Sequence, residues 1–314
     1  MALNRVGVID CGTNSIRLLI AEAINNKLHI IHREMKIAYL GQDVDANKEI
    51  SSDALKRTKS ILKYYAQIMT TASVNSIRMI ATSAARDANN RKKLFTTLTP
   101  ILSKVVKGSK VEVITGYEEA ELSFFGVIDE CKFFQKPLLI IDIGGGSMEV
   151  IFGNHNIQLS SSVKIGCVRI AERYLHSDPP SISEIKCAQI KINNSLIKAF
   201  RLIPLDLIFN CIGLAGTMTT ISALVQLITN YNPNLIHLSR ISFKNILIAC
   251  ERLISMTKSE LKLLGPIHSG RTSTISGGLI ILKELITLFE NKTQIDEILI
   301  SESDILNGIA LSII

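Results

Sequence analysis

Two short segments of the chain repeat an aspartate, a glycine and a serine at the same spacing. One runs from Asp10 to Ser15 as D-C-G-T-N-S, and the other runs from Asp142 to Ser147 as D-I-G-G-G-S. In a turn of this kind, backbone N–H groups converge on one point, and glycine lets a phosphate come close to the backbone. The aspartate can hold a hydrated cation beside that phosphate. The two segments, called here the first loop and the second loop, therefore predict phosphate binding.

The small residues of the two loops supply the phosphate contacts in this prediction. A duplicated hairpin kept only for folding is the alternative, but three consecutive glycines cost conformational entropy that a plain turn need not spend. We expect the second loop to donate its N–H groups to a phosphoryl group and the first loop to close the opposite side. The predicted contacts are Gly144, Gly145, Gly146, Ser147, Asn14 and Ser15.

An internal repeat surrounds the two loops. Residues 6–20 align with residues 138–152 at an offset of 132, and each copy has the pattern of a strand, a tight turn and a strand. A third strand-like run follows each copy, at residues 28–33 and 157–163. Helical and strand-like runs alternate in the rest of the chain. Because 314 residues suit two domains, the sequence predicts an α/β protein with two domains of common ancestry.

The composition is that of a globular protein. Hydrophobic residues make up 47% of the chain and charged residues 20%, which argues against disorder. No apolar run approaches the roughly 18 to 20 residues of a membrane span, and the chain starts without a charged leader. We therefore expect a cytoplasmic protein that does not enter a membrane. The six cysteines lack the C-x-x-C spacing of a zinc site and are expected to be reduced.

An excess of positive charge favours a polyanionic partner. The chain has 35 basic and 28 acidic residues, and its net charge of +7 attracts polyanions at long range. Nucleic acid is disfavoured, because aromatic residues are only 5%, tryptophan is absent and no run of lysine or arginine forms a binding stripe. We therefore expect a polyanionic partner and no nucleic acid.

Six motifs are spread over nearly the whole chain. They are V-I-D-C-G-T-N-S-I-R-L-L-I from Val8, A-T-S-A-A-R-D-A from Ala81, I-T-G-Y-E-E-A-E-L from Ile114, I-D-I-G-G-G-S-M-E from Ile141, I-G-C-V-R from Ile165 and A-G-T from Ala215. Together they resemble the exopolyphosphatase and guanosine pentaphosphate phosphohydrolase family, within the actin, sugar-kinase and heat-shock ATPase superfamily. The segment G-C-V-R-I-A-E-R-Y-L-H-S-D-P-P and the ending S-E-S-D-I-L-N-G-I look most like its short actinobacterial-type members.

The resemblance implies a fold of two ribonuclease H-like α/β domains, as in actin-like ATPases, around a central cleft. The first domain would comprise residues 1–127 and 301–314 and would carry the first loop. The second domain would comprise residues 128–300 and would carry the second loop. A terminal helix from about Glu302 would return to the first domain.

An acidic cluster after Gly116 carries the candidate catalytic group. Glu118, Glu119 and Glu121 open a predicted helix, on which Glu119 shares a face with Leu122. Glu118 and Glu121 are typical of a solvated first turn that complements the helix dipole. In the family that the chain resembles, the second glutamate of the G-x-E-E-A motif is the base that activates water. Glu119 matches that glutamate.

Arginines match the family pattern at four positions, which are Arg17, Arg86, Arg169 and Arg271. Arginine presents a planar fork of donors to phosphate oxygens, so several in one cleft could hold a chain of phosphates. A single arginine is more often a surface ion-pair partner. We predict phosphate contacts for Arg17 and Arg86 only.

The resemblance implies magnesium as the cofactor and leaves an additional monovalent cation open. Asp142 is the predicted magnesium-side carboxylate, acting directly or through water, because magnesium gives up its waters reluctantly. Asp10 is its symmetric partner in the first loop. The alternative for Asp10 is a turn aspartate that satisfies its own backbone.

These assignments imply an exopolyphosphatase that shortens inorganic polyphosphate from its end. Glu119 would take a proton from water that attacks the terminal phosphoryl group in line, and orthophosphate would leave. Guanosine pentaphosphate (pppGpp) is the alternative substrate. The residues do not decide whether the protein forms a homodimer.

Two rival functions remain open. The A-G-T motif at residues 215–217 lies where nucleotide-binding relatives contact adenosine, which allows an ATP-dependent kinase, although a tight strand-to-helix turn explains the motif equally well. Ser273 stands where many relatives have aspartate, and Asn307 stands where an acidic residue is common. Either departure could weaken a metal or interdomain contact, which allows a non-catalytic regulator that binds the alarmone.

Overall fold

The computed structural model describes residues 4–24, 27–128, 130 and 137–314, so Cys131 lies outside the described residues. The chain folds into two units, of which the first is Met1–Val127 with Asp304–Ile314 and the second is Ile128–Ser303. In the described part of the chain, no helix is both long enough and apolar enough to cross a membrane.

The first unit contains a sheet of five strands. Its elements are β1 (Arg5–Cys11), β2 (Ser15–Ile24), β3 (Lys27–Ile37), α1 (Val44–Asn47), α2 (Ser52–Thr71), β4 (Ser76–Ala81), α3 (Ser83–Asp87), α4 (Lys92–Val105), β5 (Val111–Val113) and α5 (Gly116–Ile128). The strand order is β3-β2-β1-β4-β5. Strands β1, β2 and β3 pair antiparallel, whereas β4 and β5 are parallel to β1.

The second unit contains a sheet of six strands. Its helices and strands are β6 (Leu138–Ile143), β7 (Met148–Gly153), β8 (Ile157–Val163), α6 (Cys167–Tyr174), α7 (Ile182–Ala199), β9 (Asn210–Leu214), α8 (Ala215–Val225), α9 (Pro233–Ile236), β10 (Ser239–Ser242), α10 (Phe243–Ile254), α11 (Lys258–Lys262), α12 (Ile275–Lys292) and β11 (Glu297–Ile300), with 3-10 turns at Leu205–Leu207 and Ser269–Arg271. The last helix, α13 (Ile305–Leu311), belongs to the first unit. The strand order is β10-β11-β9-β6-β7-β8.

The two sheets repeat one strand order. Read from the other edge, β8-β7-β6-β9-β11 follows the order and the directions of β3-β2-β1-β4-β5, and β10 is an antiparallel addition beside β11. This order, with three antiparallel strands followed by two parallel ones, is the ribonuclease H-like pattern that the resemblance implied. The prediction of an α/β fold with two such domains is confirmed.

Strand β1 shows why both faces of the first sheet are covered. Alternate residues of a strand point to opposite faces. Ile9 and Cys11 belong to the core that includes buried residues of α2 and α4, whereas Val6 and Val8 belong to the core that includes α13. The same alternation puts Asp10 on the α13 face of the sheet.

Side-chain caps mark the starts of several helices. The Ser51 side chain accepts a hydrogen bond from the Ala54 N–H and caps α2. Ser181 and Glu184 form the capping box of α7, and Thr257 and Glu260 form that of α11. The terminal helix begins at Ile305 rather than near Glu302, because Asp304 caps it.

Near the end of the chain, the prediction placed the domain boundary at residue 301, and the second unit extends to Ser303. Residues 301–303 belong to the second unit. The Ser301 N–H donates to the Gly213 carbonyl at 3.1 Å, and the Ser303 hydroxyl donates to Glu130 Oε1 at 2.7 Å. These bonds tie the segment to the second sheet before the chain returns to the first unit.

Candidate active site

The first loop is a tight turn between β1 and β2. The Gly12 N–H donates to the Ser15 carbonyl at 3.0 Å and closes the turn. The Thr13 carbonyl accepts the Gly41 N–H at 2.8 Å, and the Asn14 carbonyl accepts two N–H groups from residues 38–39 at 3.0 and 2.8 Å. The segment after β3 therefore holds the carbonyl side of the loop.

These carbonyl contacts fix the direction of the loop N–H groups. In a planar trans peptide, the N–H of one residue points opposite to the carbonyl of the residue before it. Because the carbonyls of Thr13 and Asn14 face residues 38–41, the N–H groups of Asn14 and Ser15 point away from that segment. Both residues were predicted to contact phosphate, and their N–H groups point to one side of the loop.

The second loop has the same closure between β6 and β7. The Gly144 N–H donates to the Ser147 carbonyl at 3.1 Å. The Gly144 carbonyl accepts the N–H of Cys167 at 3.0 Å, and the Gly145 carbonyl accepts two N–H groups from the next two residues of α6 at 2.9 and 3.2 Å. The Gly146 carbonyl accepts Arg169 Nε at 2.8 Å.

Three consecutive carbonyls of the second loop thus face the start of α6. By the same peptide geometry, the N–H groups of Gly145, Gly146 and Ser147 point to the opposite side. Successive N–H groups aimed in one direction form the kind of concavity that binds anions. The predicted phosphate contacts of this loop therefore lie together in the second unit.

Gly166 and Arg169 support the second loop from behind. A Cβ atom at Gly166 would lie 2.5 Å from the carbonyl carbon and oxygen of Gly145, so only glycine lets α6 approach this closely. Arg169 is 7% exposed and binds the Gly146 carbonyl. The I-G-C-V-R motif therefore shapes the loop, and Arg169 holds its backbone.

An ion pair orients the aspartate of the first loop. Asp10 lies opposite Arg17 in the register of β1 and β2, and Arg17 donates to Asp10 Oδ2 from Nε at 3.0 Å and from Nη2 at 2.6 Å. Arg17 also pairs with Asp304. Burial raises the pKa of Asp10, which the Arg17 charge opposes. Arg17 was predicted to bind phosphate, and its Nε, Nη1 and Nη2 donate to the carboxylates of Asp10 and Asp304.

The candidate base pairs with the second predicted arginine. Arg86, on α3, donates from Nη1 to Glu119 Oε2 at 2.5 Å and to the Ile114 carbonyl at 3.2 Å. The Glu119 side chain is 12% exposed, whereas Glu118 is 38% exposed and pairs with Arg78 at 2.7 Å. Glu119 is therefore the more enclosed glutamate, as predicted, and Arg86 fixes the direction of its carboxylate.

Glu149 is a candidate that the sequence analysis missed. It lies opposite Asp142 in the register of β6 and β7, it is 1% exposed, and its Oε1 accepts the Ser162 hydroxyl at 2.8 Å. At the repeat offset of 132, Glu149 corresponds to Arg17. The exchange of an arginine for a glutamate between the two copies was the signal available in the sequence.

The oxygen atoms around the second loop fit a hard cation such as magnesium. Asp142 is 8% exposed and faces its cross-strand neighbour Glu149, and two neighbouring buried carboxylates favour a cation. In the described ranges, no three His, Cys, Asp or Glu residues form a group that could hold a metal. Magnesium needs no such group, because it uses one or two carboxylates and keeps several waters.

The first loop also presents oxygen atoms to a ligand. Three buried side-chain oxygens of this loop have no hydrogen-bond partner within the described part of the chain, and they are Asp10 Oδ1, Thr13 Oγ1 and Asn14 Oδ1. Buried polar groups normally have a partner, so a donor or a cation is expected beside them. This observation supports Asp10 as a metal-side carboxylate and adds Thr13 to the candidate residues.

A model of the Ppx/GppA phosphatase family matches residues 19–313. The chain belongs to this family. It is 46% identical, over 317 aligned positions, to the protein named exopolyphosphatase 2 of Mycobacterium tuberculosis, and the match covers 100% of this chain and 99% of that protein.

Solved structures of the Ppx/GppA family share the two-domain fold. The crystal structure of an exopolyphosphatase-like protein has a TM-score of 0.91 at 31% identity and covers 99% of this chain and 98% of its own. A family member from Aquifex aeolicus has a TM-score of 0.79 at 27% identity and covers 99% and 97%. An exopolyphosphatase from Cytophaga hutchinsonii has a TM-score of 0.87 at 26% identity and covers 98% and 97%.

The A-G-T motif of this Ppx/GppA member is a packed turn. A Cβ atom at Gly216 would lie 1.6 Å from Nη1 of Arg271, so the guanidinium lies directly on the Gly216 backbone. Ala215 before it has a φ of 68°. The close approach of Arg271 accounts for the glycine without a nucleotide.

The two departures from the family pattern have different surroundings. Ser273 is exposed. Asn307 is 7% exposed, completes the capping box of α13 with Asp304, and accepts a hydrogen bond from Arg33 at 3.2 Å. Asn307 therefore has a structural role at the start of the helix.

Proposed function

We propose that the protein is an exopolyphosphatase that releases orthophosphate from the end of inorganic polyphosphate, with magnesium as its cofactor. The observation that carries the proposal is the direction of the loop N–H groups. Five of them, in two copies of one turn, point away from the segments that hold the loop carbonyls. The relative at 46% identity, matched over its whole length, is named an exopolyphosphatase.

Glu119 acts as the general base in this proposal. Its carboxylate takes a proton from the attacking water, a bond forms between the water oxygen and the terminal phosphorus, and the bridging P–O bond breaks. The bridging oxygen leaves on the shortened chain. Arg86 holds the Glu119 carboxylate in one direction, so the proton acceptor is in place before the water arrives.

The loops offset the charge of the transferring phosphoryl group. N–H groups that are already oriented cost no reorganisation when the reaction occurs, and this is the main source of stabilisation in phosphoryl transfer. Asp142 and Glu149 are the candidate magnesium carboxylates of the second unit, and Asp10 is the candidate carboxylate of the first unit. Bound there, magnesium would neutralise charge on the phosphate oxygens.

Guanosine pentaphosphate is the alternative substrate, because it also ends in a phosphoanhydride. The net charge of +7 favours the longer polyanion. A kinase is less well supported, since Arg271 lies on the glycine of the A-G-T motif. A non-catalytic alarmone-binding regulator is the third candidate, and the phosphate-release assay separates it from the two enzymes.

A phosphate-release assay tests the proposal. Polyphosphate of long and short chain length, guanosine pentaphosphate and ATP are compared at equal concentration of terminal phosphate, with and without magnesium. We expect magnesium-dependent release that is fastest from polyphosphate. Faster release from guanosine pentaphosphate would assign the alternative substrate, and release from none of them would contradict the proposal.

A further inference from the structure

A chain of ion pairs links helix α13 to the aspartate of the first loop. Asp304 caps α13, where its Oδ1 accepts the Leu306 N–H at 3.0 Å, and it is 5% exposed. Its carboxylate pairs with Arg17 and, at 3.1 Å, with Arg33. The Arg17 and Arg33 charges hold the pKa of Asp304 below its usual value, although burial alone would raise it. Asp304 therefore remains an anion next to two cations.

Arg17 connects the two buried carboxylates. Its Nε and Nη2 bind Asp10 Oδ2, and its Nη1 binds Asp304 Oδ2. The guanidinium is planar, and its donors form a rigid fork. A contact that fixes one end of this fork therefore also sets the direction of the donors that hold Asp10.

We propose that Asp304 is a positioning residue, which acts through Arg17 to hold the Asp10 carboxylate of the first loop in place for hydrolysis. The proposal rests on the proposed function of that loop. With Oδ2 of Asp10 held by Arg17, Oδ1 is the atom left without a partner among the described residues. That oxygen is available to the substrate or its cation.

The backbone packing of α13 fixes the position of Asp304. A Cβ atom at Gly126 would lie 1.9 Å from the Asp304 carbonyl oxygen, and one at Gly308 would lie 1.9 Å from the Leu122 carbonyl oxygen. Helices α5 and α13 therefore touch through their backbones at two points. Because α5 also carries Glu119, the same packing ties the candidate base to the residue that orients Asp10.

Charge balance explains why the loss of the Asp304 charge should disturb the first loop. Asp10 and Asp304 offset the charges of Arg17 and Arg33 in a partly buried network. Without the Asp304 charge, Nη1 of Arg17 loses this partner, and the fork can turn away from Asp10. The resulting defect should appear in the chemical step rather than in the binding of the polyphosphate chain, which gives a lower kcat at a similar KM.

The first test substitutes Asp304→Asn, because asparagine caps a helix as well as aspartate does. We expect kcat for polyphosphate hydrolysis to fall about tenfold or more while KM changes by less than about threefold. Thr257→Ala is the matched control, since it removes half of the capping box of α11, a helix of the second unit in which Thr257 pairs with Glu260. It should lower the thermal unfolding midpoint and leave kcat within about twofold of the parent.

A double-mutant cycle with Arg17→Met separates positioning from a general loss of structure. If Asp304 acts through Arg17, adding Asp304→Asn to Arg17→Met causes little further loss of kcat, whereas independent effects would multiply. Multiplying losses, an unchanged kcat in Asp304→Asn, or an equal loss in Thr257→Ala would each overturn the proposal.

A replacement variant and an assay of the parent protein distinguish the possible outcomes. If Asp304→Asn is unfolded at the assay temperature, Arg33→Gln takes its place, because Arg33 holds the other oxygen of the Asp304 carboxylate. It should also lower kcat at a similar KM, and an unchanged kcat would overturn the proposal. The parent protein is assayed beside every variant. An inactive parent contradicts the proposed function, whereas an active parent with an unaffected variant contradicts only the role of Asp304.

Discussion

Arg17, after the first loop, and Glu149, after the second, occupy equivalent positions of the repeat, and this exchange gives the two loops different chemistry. In the first loop, the aspartate faces an arginine across the strand pair. In the second loop, the aspartate faces a glutamate. A carboxylate beside an arginine has a cationic neighbour, whereas two neighbouring carboxylates favour a bound cation. We therefore expect the second loop to carry the stronger cation site.

Arg17 should also be a major contributor to stability. Removing one partner of a buried ion pair leaves an uncompensated charge, which costs about 3 to 5 kcal/mol. Arg17→Met leaves both Asp10 and Asp304 without this partner, and we expect the free energy of unfolding to fall by about 3 kcal/mol in urea denaturation. Lys56→Met is the control, because its pair with Asp53 is exposed on both sides. Equal losses in the two variants would refute the role of burial.

At the scale of elements, the start of α6 forms the back wall of the second loop. Gly166→Ala places a Cβ atom 2.5 Å from the Gly145 carbonyl, so the loop or the helix must shift. A shift of about 1 Å in a site of this kind can cost roughly 100-fold in rate. We expect the variant to remain folded by circular dichroism while phosphate release falls by at least about tenfold.

Gly108→Ala is the control for that substitution. Its added Cβ atom meets nothing within 4 Å, although the φ of 89° makes alanine strained there. It should cost about 1 to 3 kcal/mol of stability and leave the rate of phosphate release unchanged. A normal rate in Gly166→Ala would show that the contact between α6 and the loop is dispensable.

The segment before α7 should give the protein a measurable response to acid. Glu184 accepts backbone N–H groups from Ser181, His176 and Ser177, and these bonds lower the pKa of its carboxyl from 4.5 to about 2. A lowered folded-state pKa means that the stabilisation is complete above the unfolded-state pKa and is lost as the pH falls towards 2. Its effect should therefore fade between about pH 5 and pH 2.

The measurement compares the thermal unfolding midpoint of the parent with that of Glu184→Gln across this pH range. We expect the parent to be more stable at neutral pH and the difference to shrink as the pH falls. A difference that stays constant from pH 7 to pH 2 would contradict the assignment of the lowered pKa to these hydrogen bonds.

At the scale of the whole molecule, the net charge of +7 should appear in the kinetics. Long-range attraction between a cationic protein and a polyanion weakens with salt, because the screening length falls from about 10 Å at 0.1 M to about 3 Å at 1 M. We expect KM for long polyphosphate to rise with sodium chloride while kcat changes little. Tripolyphosphate, which carries fewer charges, should respond less. A KM that is independent of salt would show that the overall charge has no part in substrate capture.

The internal repeat allowed the two-sheet architecture to be predicted from the sequence. Strand–turn–strand patterns at an offset of 132 predicted two sheets built alike, since local hydrophobic periodicity is encoded within short segments. Bonds between distant residues are not encoded in that way. Arg17 and Asp304 lie 287 positions apart, and Arg86 and Glu119 lie 33 apart, so no spacing rule could pair them.

The candidate site was therefore predicted in part. The two loops, Glu119 and the two arginines follow from motifs, but the partners of those arginines follow only from tertiary packing. Thr13 and Glu149 belong to the site by burial and by register, and neither property can be measured on a sequence. The second unit extends three residues beyond the predicted end at residue 300, where a hydrogen bond to Gly213 holds Ser301.

The most direct test of the central claim is the rate of phosphate release from polyphosphate by Glu119→Gln. A general base contributes about 10²- to 10⁴-fold, so we expect the rate to fall by at least that lower figure while the thermal unfolding midpoint stays close to that of the parent. Glu118→Gln, one residue away and paired with Arg78 nearer the surface, should retain activity. Near-full hydrolysis by Glu119→Gln would contradict the mechanism.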